Sequence, residues 1–537
     1  MKKLFVFTGI LLFVNQAFGG GLLTNGNQSA QYLRMLSRNA STSVDAVYFN
    51  PAGLMMMDNG FYFAIQNQSL YQTKSVQSGF PLLNNGKYDG SLTAPIFPTA
   101  YAVYKKDKVA FSLGFGPNSG GGSADFGRGL PSFEKQIATL VPKFSGLSAL
   151  GMNVKGYSAD ISFNGKSVYW GIQGGVSVKV NKVFSVYGGL RYVPAANKYT
   201  GYLKNISVNV NGTVKNAASF LTGDVTTVLN GLASQATGAA ASVQPLIAAG
   251  AGSYTLGVIE GAGYISTAQR TQIEQGLIQL TGLSQAQVNQ MNVTQIQGAF
   301  IAGAGALNGQ AVVMAENAAQ LHDKQVNVTQ TGAGVTPILG VNISPVKNLN
   351  IGLKYEFKTK LTLTNSTSVD GTGLFPDKQQ SGSDLPSLFS FGADYKISKF
   401  TFSTSFNAYN DKGVDWGMNI YGEPRVIDHN TWEVSFGTQY QLTKKLAVSA
   451  GYLRTEMGVY PQFNSDFSYY NSSANTFGGG LEYKLNKKLT IDLGMLYTKY
   501  KDAQKPFVDA TFGNYSETYS KHNMGYAIGL AYHFGGI

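Results

Sequence analysis

The sequence contains no cysteine and few charged residues, and these scarcities exclude several kinds of site. Because none of its 537 residues is cysteine, disulfide bonds and thiolate metal sites are excluded. Charged residues make up only 13% of the chain. Beyond the N-terminus there is no run of about 18 or more strongly apolar residues, so membrane-spanning helices are not predicted. The alanine-rich stretch at residues 299–315, for example, is interrupted by Gly303, Gly305 and Asn308.

Histidine is scarce as well, and neither a metal site nor a cofactor is predicted. The four histidines are scattered without metal-ligand spacing: His322, His429, His522 and His533. Gly303 and Gly305 lack the preceding strand and the third glycine of a dinucleotide-binding motif. The formal net charge is +12, but the lysines form no basic stripe, so a nucleic-acid partner is not predicted.

The first 19 residues have the three parts of a secretory signal peptide. Lys2 and Lys3 give a basic start, residues 4–14 form an apolar run, and Ala17 to Gly19 give a small-residue exit. The run is too short to span a membrane as a helix. We therefore predict residues 1–19 as a cleaved signal peptide and the mature chain as starting near Gly20.

The end of the chain alternates strictly between two kinds of residue. Apolar side chains occupy every second position at Met524, Tyr526, Ile528, Leu530, Tyr532 and Phe534, with mostly small residues between them. Alternation of this kind, with a terminal aromatic residue, is typical of an outer-membrane barrel strand that faces lipid on one side and the lumen on the other. The sequence thus predicts an all-β membrane barrel located in the outer membrane of a Gram-negative bacterium.

Short lysine-bearing turns separate further alternating segments and allow the strands to be counted. Six such turns are predicted to join twelve strands, at residues 105–108, 181–182, 345–348, 398–399, 443–445 and 486–488. One strand before them, Phe61 to Tyr71, and one after them, His522 to Phe534, bring the prediction to about fourteen antiparallel strands within residues 60–537. Charged residues should face inward, because Lys or Arg at mid-bilayer on the lipid face costs roughly 2–4 kcal/mol.

Two long connections are expected on the opposite, extracellular rim. Residues 117–165 contain a predicted helix from Phe133 to Leu140. An insertion at about residues 197–332 contains a predicted helical run from Gln269 to Leu280, with Ser266 as its cap. The insertion is interpreted either as a surface-shielding loop or as a platform that gathers ligand or binds a partner.

Residues 20–59, before the first strand, are predicted to plug the lumen. They include Tyr48-Phe49-Asn50-Pro51-Ala52-Gly53-Leu54, in which Asn50 and Pro51 predict a rigid corner. Together with the signal peptide, the strand count and the aromatic final strand, this motif resembles the FadL/OmpP1/TodX family of outer-membrane transporters. The resemblance covers nearly all of the mature chain except the large insertion, which is longer than expected for the family.

The resemblance implies passive uptake of hydrophobic molecules, with long-chain fatty acids as the leading ligand and aromatic hydrocarbons as the alternative. The N-terminal segment would be a hatch containing the Asn50, Pro51 and Ala52 turn. Ligand would be captured among extracellular loops, pass to a lumenal site, and leave sideways into the membrane at a kink in the third strand. In this chain that strand is predicted at Val109 to Gly116, with Gly114, Gly116 and Pro117 supplying the kink.

The expected surroundings are outer-membrane lipid, lipopolysaccharide and the barrel assembly machinery, with the protein as a monomer. A fatty-acid carboxylate in the lumen would need a cationic partner. The alternation of side chains along the strands places Arg191 and Lys354 on the lumenal face and favours them for this role. The alternative is that they pair with a lumenal carboxylate such as Glu356. Arg34 and Arg38 are predicted to anchor the hatch through salt bridges to the wall, the alternative being ordinary solvation in the lumen. The first capture site is predicted to include Phe133, Leu140 and Phe144, which could equally pack one loop onto another.

Two other functions were weighed against transport. An outer-membrane enzyme would have to use Asp428 beside His429, which is the only residue pair that suggests one. A surface receptor or adhesin would act through the insertion instead.

Overall fold

The computed structural model describes residues 26–414, 416, 425–460, 466 and 472–535. The predicted signal peptide, residues 1–19, lies outside the described residues, as do residues 20–25 of the predicted hatch. Within the described chain, clustering of contacts separates two compact units. One contains residues 135–160 and 203–323, and the other contains most of the β-structure.

The β-structure forms a single sheet of antiparallel strands. The strands are β1 Gly60–Ser78, β2 Lys87–Lys106, β3 Val109–Phe126, β4 Val154–Lys179, β5 Phe184–Val210, β6 Thr213–Asn216, β7 Lys324–Val346, β8 Leu349–Glu356, β9 Thr362–Asp370, β10 Gln380–Gly382, β11 Leu388–Ile397, β12 Phe400–Tyr409, β13 Ile427–Gln441, β14 Leu446–Val459, β15 Ala474–Lys484, β16 Leu489–Tyr500, β17 Ala503–Phe507 and β18 Tyr515–His533.

Pairing of the first strand with the last closes this sheet into a barrel. The β1–β18 ladder runs from Tyr62 opposite His533 to Ser78 opposite Glu517. Three of the barrel-forming strands are each divided into two segments. Segments β8 and β9 both pair with β7, β10 and β11 continue one another, and β16 and β17 both pair with β18. Because β6 forms only a short hairpin with β5, the described residues make a barrel of fourteen strand positions, here called walls, which confirms the predicted fold class.

Alternation along each strand sorts side chains to the two faces of the barrel. In β16, Leu493, Met495 and Tyr497 are exposed on the outside, whereas Asp492 and Leu496, at the alternate positions, are buried inside. The cause is geometric, since successive residues of a strand point to opposite faces. Charged side chains at the inward-pointing positions of a strand therefore face the lumen and do not contact lipid.

In the described part of the chain, four helices lie in the N-terminal segment or a following loop, and six lie in the long insertion. Their bounds are α1 Ala30–Met35, α2 Ala46–Phe49, α3 Pro131–Ala138, α4 Leu140–Lys143, α5 Ala217–Ser219, α6 Thr226–Ala248, α7 Leu256–Gly261, α8 Thr267–Thr281, α9 Gln285–Asn289 and α10 Val293–Gln320. A π-helical turn at Phe220–Val225 joins α5 to α6, and 3-10 turns occur at Pro51–Met56, Ser145–Leu150, Ala251–Ser253 and Asp411–Gly413.

Helix α8 confirms the predicted helical run and its cap. The Ser266 hydroxyl accepts a hydrogen bond from the Gln269 backbone N–H, and the Gln269 side-chain oxygen accepts one from the Ser266 backbone N–H. This reciprocal capping box satisfies two backbone donors at the start of the helix. The predicted helix at Phe133 to Leu140 appears as two short helices, α3 and α4.

The helical part of the insertion is shorter than the predicted residues 197–332. Strand β5 continues to Val210 and β7 already begins at Lys324, so the helices occupy only Ala217 to Gln320. Ile206, Val208 and Val210 are buried at alternate positions, which is the strand periodicity that the interpretation as a loop overlooked. The predicted loop at residues 117–165 likewise narrows, because β3 extends to Phe126 and β4 begins at Val154.

By length and composition, helix α10 is long and apolar enough to cross a membrane. Of its most apolar stretch of 18 residues, 28% is buried inside the protein. No other described helix meets that criterion. In the structure α10 packs against α6, with small residues such as Ala304 and Ala311 on its buried face and Ala233 and Ala236 on that of α6. Small side chains allow two helices to approach closely.

Candidate functional site

The N-terminal segment from Gln28 to Met55 lies inside the barrel and is almost entirely buried. Its apolar side chains share one core with the wall, as Leu33 and Val47 do with Tyr101, Val103 and Leu496. Burying so much apolar surface holds the segment in the lumen without a covalent link. We call residues 26–59 the hatch.

Lumenal glycines on three neighbouring strands form the seat of helix α1. A Cβ atom added at Gly437 or Gly451 would overlap the carbonyl oxygen of Met35, and one at Gly478 would overlap that of Leu33. The hatch backbone can approach the wall this closely only where side chains are missing. The high glycine count of the sequence therefore has a specific use here, which the sequence analysis did not identify.

Arg34 joins the hatch to the wall through buried ion pairs. Its Nε lies 2.9 Å from Oδ1 of Asp492, and its Nη2 lies 2.8 Å from Oε2 of Glu482. The Arg34 Nη1 also donates to the Ser449 hydroxyl at 2.6 Å. With Arg34 only 2% exposed, these contacts satisfy its guanidinium away from bulk water.

Arg38 does not form the wall salt bridge predicted for it. Its guanidinium pairs with Asp45 of the same hatch at 2.6 and 2.8 Å and donates to the Ser41 hydroxyl at 2.7 Å. Burial of Asp45 opposes its ionisation, but the neighbouring Arg38 charge and these hydrogen bonds hold the pKa of Asp45 below its ordinary value. Arg38 thus braces a turn within the hatch, because Asp45 lies closer to it than the carboxylates of the wall.

The predicted Asn50, Pro51 and Ala52 corner is held by side chains of the wall. The Asn50 amide donates to Oδ1 of Asn342 at 2.7 Å. The Pro51 carbonyl accepts from the Ser177 hydroxyl at 2.7 Å, and the Ala52 carbonyl accepts from the Ser185 hydroxyl at 2.8 Å. Since these carbonyls start a 3-10 turn that is buried in protein, the wall supplies partners that water would otherwise provide.

Tyr48, immediately before this corner, lies against two cations of the wall. The Arg191 Cζ is 4.7 Å from the Tyr48 ring centroid and the Lys354 Nζ is 4.6 Å from it, both within cation–π range. The Lys354 ammonium also donates to the Tyr48 carbonyl at 2.9 Å. Sequence reasoning missed Tyr48, because nothing in its local pattern indicates which lumenal cations it meets.

Glu356 pairs with both of these cations. Its two oxygens lie 2.5 and 2.9 Å from the Arg191 guanidinium, and Oε1 is 2.6 Å from the Lys354 ammonium. All three side chains are at most 8% exposed. Two cations and one carboxylate leave a formal charge of +1 in a buried place, which favours an anion as a further partner.

A small cavity lies beside this cluster and has a mixed lining. Its free space is about 50 Å³, well below the roughly 300–1,000 Å³ of typical ligand pockets. Charged groups of Arg191, Glu356 and Asp384 line it together with apolar and aromatic side chains: Tyr48, Tyr169, Leu385, Leu388, Tyr409 and Trp416. The cavity must therefore widen before it can hold a ligand.

The wall next to the hatch has an irregular seam between β2 and β3. Their ladder runs from Ser91 to Thr93 and resumes only at Ala100, opposite Phe115. Within the described chain the interruption coincides with Pro95 and Pro98 in β2 and with Gly116 and Pro117 in β3. Proline lacks a backbone donor, and glycine weakens a strand, so the sequence explains the gap.

Two of the three predicted kink residues lie in this gap, and the third lies in the regular ladder next to it. Gly116 and Pro117 lie at its start, and the Pro117 carbonyl accepts a hydrogen bond from the Gln28 side chain of the hatch at 2.5 Å. Gly114 instead sits in the regular ladder opposite Tyr101. The two prolines of β2, which the sequence analysis did not consider, contribute as much to the gap as β3 does.

The three predicted capture residues are not brought together as an exposed apolar surface. Phe133 packs with Phe163 in the unit that contains the barrel, with ring centroids 5.8 Å apart. Leu140 and Phe144 belong to the other unit, are each 1% exposed, and Phe144 contacts Phe220. Buried side chains of this kind stabilise loops and offer no free surface to a ligand.

Asp428 and His429 lie 3.1 Å apart, and Tyr460 donates to the same carboxylate at 3.2 Å. The Asp428 and His429 side chains are about half exposed, and the contacts of this pair are those of a surface hydrogen-bonded group.

The family model for outer membrane protein transport proteins of the OmpP1/FadL/TodX type matches residues 238–534, more than half of the chain. The chain belongs to the OmpP1/FadL/TodX family. Membership places this chain among outer-membrane β-barrel transport proteins, and it fits the outer membrane of Gram-negative bacteria.

One solved structure shares the fold at low sequence identity, and two toluene transporters are similar to this chain at lower TM-scores. A FadL homologue of Pseudomonas aeruginosa is 12% identical, with 96% of this chain and 100% of that one covered at a TM-score of 0.54. The Pseudomonas putida toluene transporter TodX is 13% identical, with coverages of 96% and 99% and a TM-score of 0.49. The Ralstonia pickettii toluene transporter TbuX is 14% identical, with coverages of 95% and 99% and a TM-score of 0.47. No curated protein matches the sequence.

Proposed function

We propose that this protein takes up hydrophobic molecules passively across the outer membrane, with long-chain fatty acids as the ligand that its lumen fits best. The supporting observation is the buried cluster of Arg191, Lys354 and Glu356 against Tyr48, beside an apolar-lined cavity above the hatch. A fatty acid has one carboxylate and one apolar chain. The formal charge of +1 suits the former, and the leucine and aromatic lining suits the latter.

The route that we propose runs from the extracellular loops to this cavity and then sideways through the β2–β3 seam. Gln28, at the start of the hatch, contacts the seam at Pro117, so a shift of the hatch would open the cavity and the seam together. Lateral release keeps the apolar chain out of the aqueous lumen. The Tyr48 contacts with Arg191 and Lys354 would hold the closed position until a carboxylate competes for the cations.

Aromatic hydrocarbons are the second candidate ligands, because Tyr48, Tyr169, Tyr409 and Trp416 line the same cavity. Such ligands carry no charge and would use ring contacts alone. We further expect the protein to be a monomer that is inserted by the barrel assembly machinery beneath lipopolysaccharide, with the helical insertion on the extracellular side.

Uptake of labelled oleate and toluene by cells with and without this protein tests the proposal. The wild-type protein should speed oleate accumulation over barrel-null cells. Lys354→Gln should lower that rate roughly tenfold, because a hydrogen bond to a charged group is worth about 1.5–3 kcal/mol. Lys378→Gln is the matched control, since Lys378 pairs with Asp377, neither residue lines the cavity, and the Lys378 side chain is 78% exposed.

The outcomes separate the ligands. Faster toluene uptake without faster oleate uptake would identify aromatic hydrocarbons as the ligands. An equal loss of both rates in Lys354→Gln would assign Lys354 to holding the hatch, and contradict its role with a carboxylate. If neither compound accumulates faster than in barrel-null cells, uptake itself is refuted.

A further inference from the structure

Three turns of the barrel repeat one sequence pattern and leave their lysines exposed. They read Tyr-Lys-Ile-Ser-Lys-Phe at residues 395–400, Tyr-Gln-Leu-Thr-Lys-Lys-Leu at 440–446 and Tyr-Lys-Leu-Asn-Lys-Lys-Leu at 483–489. We name as the lysine patch their exposed lysines apart from Lys484, which lies 3.6 Å from Glu482: Lys396, Lys399, Lys444, Lys445, Lys487 and Lys488. No aspartate or glutamate occurs within these three turns.

The three turns are neighbours on one rim of the barrel. They join β11 to β12, β13 to β14 and β15 to β16, and the β12–β13 and β14–β15 ladders place these hairpins side by side. Lys396, Lys399, Lys487 and Lys488 also line a cavity of about 640 Å³ that opens beneath the hatch. The patch is therefore one continuous surface made from separate parts of the chain.

The positive charge of this surface is not neutralised by nearby carboxylates. Among the described residues, none of the six lysines forms an ion pair within 4.0 Å. Glu482 and Asp492 pair with Arg34, whereas Asp394 is only partly buried and interacts electrostatically with both Arg38 and Lys396. A cluster of exposed and unpaired cations attracts polyanions and anionic surfaces.

Apolar side chains lie next to the lysines on the outer face. Tyr395, Ile397, Phe400, Leu442 and Leu485 are each at least 41% exposed. An apolar band that ends in basic residues is the arrangement expected where hydrocarbon meets headgroups, because lysine stems lie along apolar surface and extend their charge to the polar layer. In outer-membrane barrels the short turns face the periplasm.

We propose that the lysine patch binds anionic phospholipid headgroups of the periplasmic leaflet, such as phosphatidylglycerol, while the acyl chains pack on the adjacent apolar residues. The lysines supply the charge complement of the phosphate, and the outward Tyr395, Phe400 and Leu485 supply a surface for the lipid tails. The combination favours a lipid over a soluble anion, which would make no use of the apolar side chains. This binding does not depend on which molecule the barrel transports.

Native mass spectrometry of the full-length barrel in a neutral detergent tests this proposal. Phosphatidylglycerol and zwitterionic phosphatidylethanolamine with the same acyl chains are titrated separately. The variant replaces Lys444, Lys445, Lys487 and Lys488 by glutamine. The control replaces four exposed lysines away from these turns by glutamine, namely Lys166, Lys198, Lys378 and Lys501, and so removes the same charge.

The wild-type and control proteins should retain phosphatidylglycerol more tightly than phosphatidylethanolamine. The patch variant should lose at least about tenfold in affinity for phosphatidylglycerol, because each lysine near an anionic surface contributes about fivefold. Equal affinities of the patch variant and the control would overturn the proposal, as would equal binding of the two lipids. Displacement of the lipid by inorganic phosphate or by a poly-glutamate peptide would also overturn it, since a soluble anion or an acidic protein would then be the preferred occupant.

Discussion

At the scale of single residues, burial determines how much each charge contributes. Arg34 is 2% exposed and its two carboxylate partners belong to the wall, so losing it leaves carboxylates without their cation. Lys87 and Asp89 form a pair of similar chemistry with side chains more than half exposed. Solvent screens the second pair and does not screen the first.

We expect Arg34→Met to destabilise the barrel by about 3–5 kcal/mol, the cost of breaking a buried ion pair on one side. Lys87→Met should cost less than about 1 kcal/mol. Equilibrium unfolding by urea in detergent measures both changes. Similar values for the two variants would show that Arg34 does not anchor the hatch.

At the scale of elements, helix α1 of the hatch can lie against the wall because the wall residues nearest to it are glycines. Gly437, Gly451 and Gly478 belong to β13, β14 and β15, yet their missing Cβ atoms serve one helix of six residues. Strand alternation puts these glycines on the lumenal face. It is the position of the helix that makes them necessary.

Gly451→Ala should displace α1, because the new Cβ would overlap the Met35 carbonyl. Overpacking of this kind costs about 1–3 kcal/mol. Gly479→Ala is the matched control, since its Cβ would meet only the Ser449 carbonyl at an ordinary 3.5 Å. Protease cleavage within residues 26–59 reports the displacement, and equal protection of the two variants would contradict the proposed seat.

At the scale of the whole molecule, the chain combines a barrel with a helical insertion that clusters with residues 135–160 into a separate compact unit. The insertion leaves the barrel after β5 and β6 and returns to it at β7, and β5 pairs with β7 in the sheet. The strands of the barrel therefore do not need the helices to find their partners.

Replacing residues 217–320 by a short Gly/Ser linker should leave the barrel folded, because loop closure costs little when the flanking strands already pair. We expect unchanged heat-modifiable migration in gels and oleate uptake close to that of the wild type. If the insertion acts as an adhesin, binding to cells should disappear while uptake remains. Loss of uptake with a folded barrel would instead make the insertion part of the ligand route.

The sequence by itself determined the barrel, its fourteen walls and the N-terminal corner at Asn50 and Pro51. The reason is that period-two alternation, tight turns and proline are local properties of the chain. It also indicated Arg191 and Lys354 as lumenal, since parity alone assigns a residue to a face.

Only the tertiary structure decided which groups meet inside the lumen. Arg38 pairs with Asp45 rather than with the wall, the Tyr48 ring contacts both Arg191 and Lys354, and the β2–β3 ladder is interrupted where both strands carry proline. In each case, strand register and the path of the hatch determine which residues come into contact. Such distant pairings follow from how the whole barrel closes, and no local pattern of a single sequence contains them.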